Sequence, residues 1–357
     1  MTPHTVVTAS AHWAKAPLDR PYGLSFGTLH AFDLILVRLV DSSGQVGFGE
    51  SCPVPPYSRE SAEQVWAAVV DVLPGLCGQD ARAAAEDLSA RADSLESFSY
   101  VAPSTACEAL VAPPPNGSAL KVPVVGAVLT HDVERLPDEV RRLIDLGHRT
   151  LKVKVGFDPM DDLEQIKIIK DCLPDGVRLR LDANEAWDLA QAMTFLTGLE
   201  PDGIELLEQP FPRDRWDWVT TLKGGNREIP LMLDESIHGE QSIRRAAECG
   251  ADIIKLKLMK VGSRAALRRR TRFAQSLGLS VVIGNGIAGV VDNWYEALCV
   301  SDTGRAGEMN GNLKLTDAVL DQRPRLEAGE LCFPAGFRLS VDEGSLSRQS
   351  RQTVQFT

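Results

Sequence analysis

From about Lys121 to Leu315, short apolar runs alternate with longer stretches whose apolar residues recur at helical spacing. The runs VPVVGAVL, TLKVKVG, VRLRLDAN, GIELLEQP, PLMLDES, DIIKLKLMK and LSVVIGNG read as buried strands, with AGEMNG as a less distinct eighth. Their polar endings recur steadily: from Lys154 to Asp182 is 28 residues, then 26 to Glu208, 26 to Asp234, 23 to Lys257, 28 to Asn285 and 23 to Glu308. A strand, a loop and a crossover helix need about this length, and eight such units closing on themselves make a parallel (β/α)8 barrel of TIM type. The intervening stretches suit helices. MDDLEQIKIIKDCL sets Leu163, Ile166, Ile169 and Leu173 at helical spacing, and SIRRAAECG ends on a glycine C-cap.

The first 120 residues pattern differently. FDLILVRLVDSSGQVGFGES predicts two antiparallel strands joined at DSSG, and SRESAEQVWAAVVDVLPGL predicts a helix opened by a serine cap. Together these make an α+β domain over residues 1–120. The Pro- and Gly-rich VAPPPNGSALKVP leads into a barrel domain over 121–325, and residues 326–357 form a C-terminal segment expected to return to the first domain.

Composition narrows the partners. With 357 residues, 44% of them apolar, the chain has ample material for two packed domains, and its net charge of -11 argues against nucleic acid or an anionic membrane as the main partner. No apolar run reaches the roughly 18–20 residues that span a bilayer, and the N-terminus lacks a basic stretch followed by an apolar one, so a cytoplasmic protein is expected. Seven cysteines stand singly with no CxxC, which speaks against a disulfide framework or a thiolate zinc site.

The strand endings carry the candidate chemistry. Lys152 and Lys154 lie two apart and so share one face of an apolar strand, where a buried charge is costly unless paired. Asp182, Glu208 and Asp234 end three consecutive strands, and neighbouring strands lie about 4.8 Å apart. Three carboxylates that close repel one another unless a cation sits among them, and an all-oxygen set describes Mg²⁺ better than zinc. Lys154 precedes this trio by one strand and Lys257 follows it by one, so the two flank it from opposite sides. Burial and the neighbouring Lys152 and Lys255 are expected to lower them toward useful bases.

The motifs LKVKVG, LDAN, LLEQP, LDES and IKLKLMKVG, in this order and spacing, resemble the enolase superfamily, and within it the muconate lactonizing enzyme subgroup of the mandelate racemase/muconate lactonizing enzyme family. The match spans the barrel, and GFGES resembles part of the family's N-terminal capping domain. The resemblance implies a modified (β/α)7β barrel in which Lys154 is a catalytic base supported by Lys152, and Lys257 is the acid or base on the opposite face. It further implies that Asp182, Glu208 and Asp234 bind Mg²⁺, with Mn²⁺ as a substitute, and that Glu308 corresponds to a strand-eight glutamate.

The implied activity is that of a Mg²⁺-dependent isomerase. It abstracts the proton α to the carboxylate of a small-molecule substrate by way of a metal-stabilised enediolate. Racemisation or epimerisation of an amino-acid derivative is the first expectation; cycloisomerisation or dehydration by the same lysines is the alternative, and a non-catalytic ligand-binding barrel the third. A homo-oligomer is expected from the same resemblance. For substrate contact, the capping loops DRPYGLSFG and SCPVPPYSRES offer Tyr22, Phe26 and Tyr57, and GNGIAGVVDNW offers Asn285 and Asp292, the latter to pair with a substrate amine or to serve as a helix N-terminal acid. Glu308 is counted with these residues, or as a brace for Lys257. Dipeptide epimerases of the subgroup carry a DxD motif near strand eight, and AGEMNGNLK in its place counts against that activity.

Overall fold

The structure, a computed structural model, describes residues 4–24, 27–55, 57–95, 97–114, 117–225, 228–317 and 319–357. Strands β1 (Val6–Leu24), β2 (Gly27–Asp41) and β3 (Val46–Ser51) run antiparallel. Against them pack α1 (Ala62–Leu76), α2 (Ala81–Leu95) and α3 (Val101–Val111) around Ile35, Val37, Val65, Val69 and Leu110. Asp41 sets the β2–β3 turn, its carboxylate accepting the amides of Ser43 and Gln45 at 2.9 Å each. Ser61 opens α1 in a reciprocal capping box with Gln64. Gly47 and Gly49 let α3 lie directly on β3: a methyl group there would fall 2.2 Å from the Ala106 carbonyl oxygen or 1.9 Å from that of Ala102.

After β4 (Leu120–Pro123) come seven parallel strands in sequential order: β5 (Gly126–Val128), β6 (Thr150–Lys154), β7 (Arg178–Asp182), β8 (Ile204–Glu208), β9 (Leu231–Leu233), β10 (Ile253–Leu256) and β11 (Ser280–Ile283). Their crossovers are α4 (Leu136–Asp145), α5 (Pro159–Asp171), α6 (Leu189–Gly198), α7 (Trp216–Gly225), α8 (Gly239–Glu248) and the pair α9 (Leu258–Val261) and α10 (Arg264–Ser276); α11 (Val290–Val300) follows β11. In α5, Ile166 and Ile169 are buried with Leu163 and Leu173 packed beside them, as the spacing predicts.

The eighth strand is reduced to one parallel bridge between Gly307 and Val124. Around it the Glu308 amide donates to the Ile283 carbonyl at 3.0 Å, the Gly307 amide to Pro123 at 2.9 Å and the Val125 amide to Gly307 at 3.0 Å, which closes the ring. The result is a modified (β/α)7β barrel with an α+β capping domain.

Beyond the barrel, β12 (Arg325–Glu327) and β13 (Glu330–Phe333) pair antiparallel with β4. Then α12 (Glu343–Gln349) leads into β14 (Ser350–Phe356), which pairs antiparallel with β1 of the capping sheet. Strand alternation gives Leu206, Met232, Ile253 and Val282 the inward face, and they pack together beneath the polar strand ends. All seven cysteines are free thiols, and among the described residues no helix is long and apolar enough to cross a membrane.

Candidate active site

The strand ends meet at one mouth because their register is matched: Lys154 lies opposite Asp182, and Asp182 opposite Glu208. Across the mouth the charges form a row. Lys154 Nζ is 2.6 Å from Asp182, Lys152 Nζ bridges Asp182 at 2.8 Å and Glu208 at 2.6 Å, and Lys255 Nζ lies 2.9 Å from Glu208 and 3.7 Å from Asp234. Lys257 Nζ ends the row 2.7 Å from Asp234, which also receives Lys260 at 2.8 Å. Lys154 and Lys257 therefore stand at opposite ends with Glu208 between them.

Glu308 lies behind the row, accepting from Lys152 at 3.1 Å and from Lys255. It is buried and braces those two lysines, not Lys257.

These pairings set the protonation states. Burial opposes the charge on Lys152, Lys154 and Lys257, yet the carboxylates overcome it: Asp182, Glu208 and Glu308 hold Lys152 well above its ordinary range, Asp182 raises Lys154, and Asp234 with Tyr57 and Glu235 raises Lys257. The sequence predicts lowered lysines, and the field of five neighbouring carboxylates reverses that expectation. Burial also raises Glu208, reinforced by Asp182 and opposed by Lys152 and Lys255. Asp182 and Asp234 are pulled below the usual carboxylate range, because their lysines outweigh burial.

The loops after β7 and β8 hold unusual backbone: Asn184, Glu185 and Gln209 have φ of 44°, 67° and 38°, a left-handed conformation that carries strain in residues other than glycine. Each is tied down. The Asn184 side chain contacts Lys154 and donates to Glu235 at 3.1 Å; Glu185 pairs with Arg213 at 2.6 Å; and Gln209 accepts the Asp234 amide at 2.9 Å. LDAN and LLEQP showed these residues beside the ligand candidates, but nothing local marks their roles. Lys260 escaped for another reason: the pattern switches from strand to the α9 turn directly after Lys257, which brings Lys260 back beside Asp234.

The capping domain closes the mouth with two tyrosines. The Tyr57 hydroxyl contacts the Lys257 ammonium, which lies 4.5 Å from the tyrosine ring centroid. Tyr22 covers the other side, near Lys154 and Lys314. A narrow cleft opens beside Tyr57, lined by Phe98, Arg213, Glu235, Met259 and Lys260. Phe26 lies outside the described residues.

Asn285 is turned away from the mouth, and Asp292 takes the second of its two expected places, that of a helix N-terminal acid. Asn285 is buried, with its amide nitrogen donating to the Ile287 carbonyl at 2.7 Å and its oxygen accepting the Ile287 amide, so it braces its own loop. Asp292 sits in the first turn of α11, 1% exposed, with neither carboxylate oxygen hydrogen-bonded. It faces Glu50, which accepts the Gly289 and Val291 amides, and Glu296, which accepts the Leu258 amide at 3.0 Å.

This acidic group lies at the seam of the two domains, and burial raises Glu50 and Glu296 each to about 7 and Asp292 well above its ordinary value. The folded state holds protons that the unfolded chain releases in the usual carboxylate range, so this stabilising contribution is complete at low pH and is lost as pH rises through about 7. Calorimetry should show Tm falling between pH 5 and 8. Asp292→Asn should reduce that slope and raise Tm at pH 8 by about 2 °C or more; equal slopes would remove the cluster as its cause.

Among the described residues no three His, Cys, Asp or Glu side chains are gathered closely enough to hold a metal ion. The donor set nevertheless suits one. Single ammonium groups bridge Asp182 to Glu208 and Glu208 to Asp234, so each neighbouring pair already shares a cation, and all the donors are the hard oxygens that Mg²⁺ takes.

A capped (β/α)7β barrel with lysines at both ends of a carboxylate row is the architecture of an enolase-type barrel. Residues 135–342 match the Enolase C-terminal domain-like family, and residues 5–102 match the N-terminal domain of mandelate racemase / muconate lactonizing enzyme. The chain belongs to the mandelate racemase/muconate lactonizing enzyme family of the enolase superfamily, whose members bind Mg²⁺.

Muconate cycloisomerase 1 of Pseudomonas putida is 28% identical over 360 residues, covering 93% of this chain and 94% of its own. L-Ala-D/L-Glu epimerase of Bacillus subtilis is 28% identical over 287 residues, covering 76% of this chain and 78% of its own. The structure of N-succinyl Arg/Lys racemase from Bacillus cereus shares the fold, with a TM-score of 0.88 at 20% identity over 99% of this chain and 100% of that one.

Proposed function

We propose that the protein is a Mg²⁺-dependent isomerase that removes the proton α to the carboxylate of a small substrate and returns one to either face, racemising or epimerising an amino-acid derivative. One observation carries this reading: Lys154 and Lys257 stand at opposite ends of the carboxylate row, each tied to a different outer carboxylate. A substrate lying over the row would present one face to each amine. The lysine facing the α-proton takes it as a neutral amine, and the other, as an ammonium, delivers a proton to the opposite face and inverts the centre. Lys152 and Lys255 keep Glu208 and Glu308 in place, while the apolar layer below the row and the two tyrosines above it limit water.

Asp182, Glu208 and Asp234 would hold Mg²⁺, or Mn²⁺ in its place. When bound, the cation supplies positive charge that steadies the deprotonated substrate and offsets the negative field that keeps Lys154 and Lys257 protonated. Similarity to the Pseudomonas putida cycloisomerase over nearly the whole chain favours a second reading, in which the same lysines serve ring closure or opening.

The test is incubation with Mg²⁺ in deuterated water and a panel of N-acyl amino acids, dipeptides, cyclic amino acids and muconate, followed by proton NMR. Loss of an α-proton signal with both stereoisomers present is the expected outcome. A new ring without stereoisomers would transfer the assignment to the cycloisomerase, and failure both to exchange any compound and to bind Mg²⁺ would defeat the catalytic reading.

A further inference from the structure

The Lys154 ammonium donates to Asp182 Oδ2 at 2.6 Å and contacts the amide oxygen of Asn184. An ammonium carries three protons and a neutral amine two, so with both acceptors in place the remaining position on the nitrogen has a set direction. It holds a proton in one state and the lone pair in the other. A base that must meet a substrate carbon needs that direction kept. Asp182 is anchored by its strand, so the aim of Lys154 depends on what anchors Asn184.

The backbone there is tied down on every side. Asn184 and Glu185 stand in the left-handed region, with φ of 44° and 67°. The Asn184 amide donates to Asp182 Oδ1 at 3.1 Å, the Glu185 amide donates to the Gln209 carbonyl at 2.8 Å, and the Glu185 carboxylate takes the Arg213 guanidinium. Strain held in place in this way points to a side chain whose position matters.

A fixed backbone does not orient the amide. Turned half way round its last bond, an asparagine fills the same space with oxygen and nitrogen exchanged, and would set an N–H against the Lys154 ammonium. Glu235 opposes that turn, because its Oε1 accepts from Asn184 Nδ2 at 3.1 Å. With a donor on one side and an acceptor on the other, a single orientation satisfies both.

Packing does not account for Glu235. It is 6% exposed, and among the described residues its Oε2 has no hydrogen-bond partner, which is costly for a buried carboxylate. In the chain it follows Asp234, the partner of Lys257, and its field reaches Lys257. Its hydrogen bond runs the other way, to the partner of Lys154.

Building on the reading that Lys154 acts as a base, we propose that Glu235 and Asn184 are positioning residues for Lys154: Glu235 fixes the Asn184 amide, and the amide oxygen aims the amine. A side chain beside the carboxylate of one base thereby serves the other.

The full-length, Mg²⁺-loaded protein would be labelled with trace acetic anhydride and the acetylation of each lysine read by mass spectrometry, which needs no substrate. Glu235→Gln and Glu235→Met both remove the charge that Lys257 feels, but glutamine keeps an acceptor for Asn184 and methionine does not. Lys154, released from its acceptor, should label about fivefold faster in Glu235→Met than in Glu235→Gln, the scale of one hydrogen bond, with Lys257 alike in the two. Asn184→Gly, at a backbone position that suits glycine, should label Lys154 as fast as Glu235→Met does, and combining the two should add nothing.

Equal labelling of Lys154 in the Gln and Met variants, a difference confined to Lys257, or additive effects would overturn the assignment. If Glu235→Met does not fold, Asn184→Gly decides, and Lys154 labelling at the wild-type rate would overturn it. Proton exchange in deuterated water reports separately on catalysis: relative to Glu235→Gln, Glu235→Met should slow exchange only of the enantiomer that faces Lys154, and equal slowing of both would overturn the role in aiming. The labelling pattern without exchange of any compound would defeat the isomerase reading and keep the positioning; exchange without the pattern would do the reverse.

Discussion

Lys154→Ala and Lys257→Ala should each slow racemisation by about 10²–10⁴-fold, the usual contribution of a positioned acid or base, and should do so with opposite stereochemical signatures. The reason lies in how the amines are held. Lys154 is tied to Asp182 and Lys257 to Asp234, with Glu208 and the bridging ammonium groups of Lys152 and Lys255 between them, so neither amine can take the other's place. Lys257→Ala should still exchange the α-proton of the enantiomer that faces Lys154 while failing to convert it, and Lys154→Ala should show the mirror pattern. Following deuterium incorporation separately for each enantiomer checks this. Exchange of both enantiomers by either variant would remove the two-base mechanism, and dependence on one lysine alone, with ring formation, would favour the cycloisomerase.

Glu208→Gln should have the largest combined effect on stability and metal response. Glu208 is fully buried between two ammonium groups, with Lys255 on Oε1 at 2.9 Å and Lys152 on Oε2 at 2.6 Å. Removing its charge leaves both lysines short of a counter-charge, and breaking a buried pair costs roughly 3–5 kcal/mol. A fall in Tm of several degrees is expected without any metal. Wild-type protein should gain Tm on addition of Mg²⁺, because a ligand that binds only the folded state stabilises it, while the variant should gain little. An equal rise in both would exclude Glu208 from the metal site.

Much of this site was legible because strand ends in a barrel impose a regular interval. Lys154, Asp182, Glu208, Asp234 and Lys257 each fall where a strand meets its loop, and alternation alone puts Lys152 and Lys255 on their faces. Helix patterning and the cap at Ser61 were equally local and equally visible.

What escaped the sequence depends on contacts far apart in the chain. Glu50 meets the α11 amides from 239 residues away, so GFGES gives no hint that it would enclose Asp292 in an acidic group. Asn285 looked available because it ends a strand, but its loop folds back and occupies its amide. The states of the lysines depend on the summed field of five carboxylates drawn from four segments, which a single KxK pair does not reveal.

The single bridge at Gly307 bears on how such a protein changes over generations. From β5 to β11 each neighbour is held by a ladder of paired residues, where an inserted or deleted residue turns side chains to the wrong face. Between Gly307 and β12 there is no ladder to misalign. Residues 309–316 are fastened instead by separate clasps, such as the Asn312 amide on Asn293 and the Thr316 amide on Pro17. Because these clasps impose no strand register, a change of length or charge in this stretch leaves the carboxylate row in its own register.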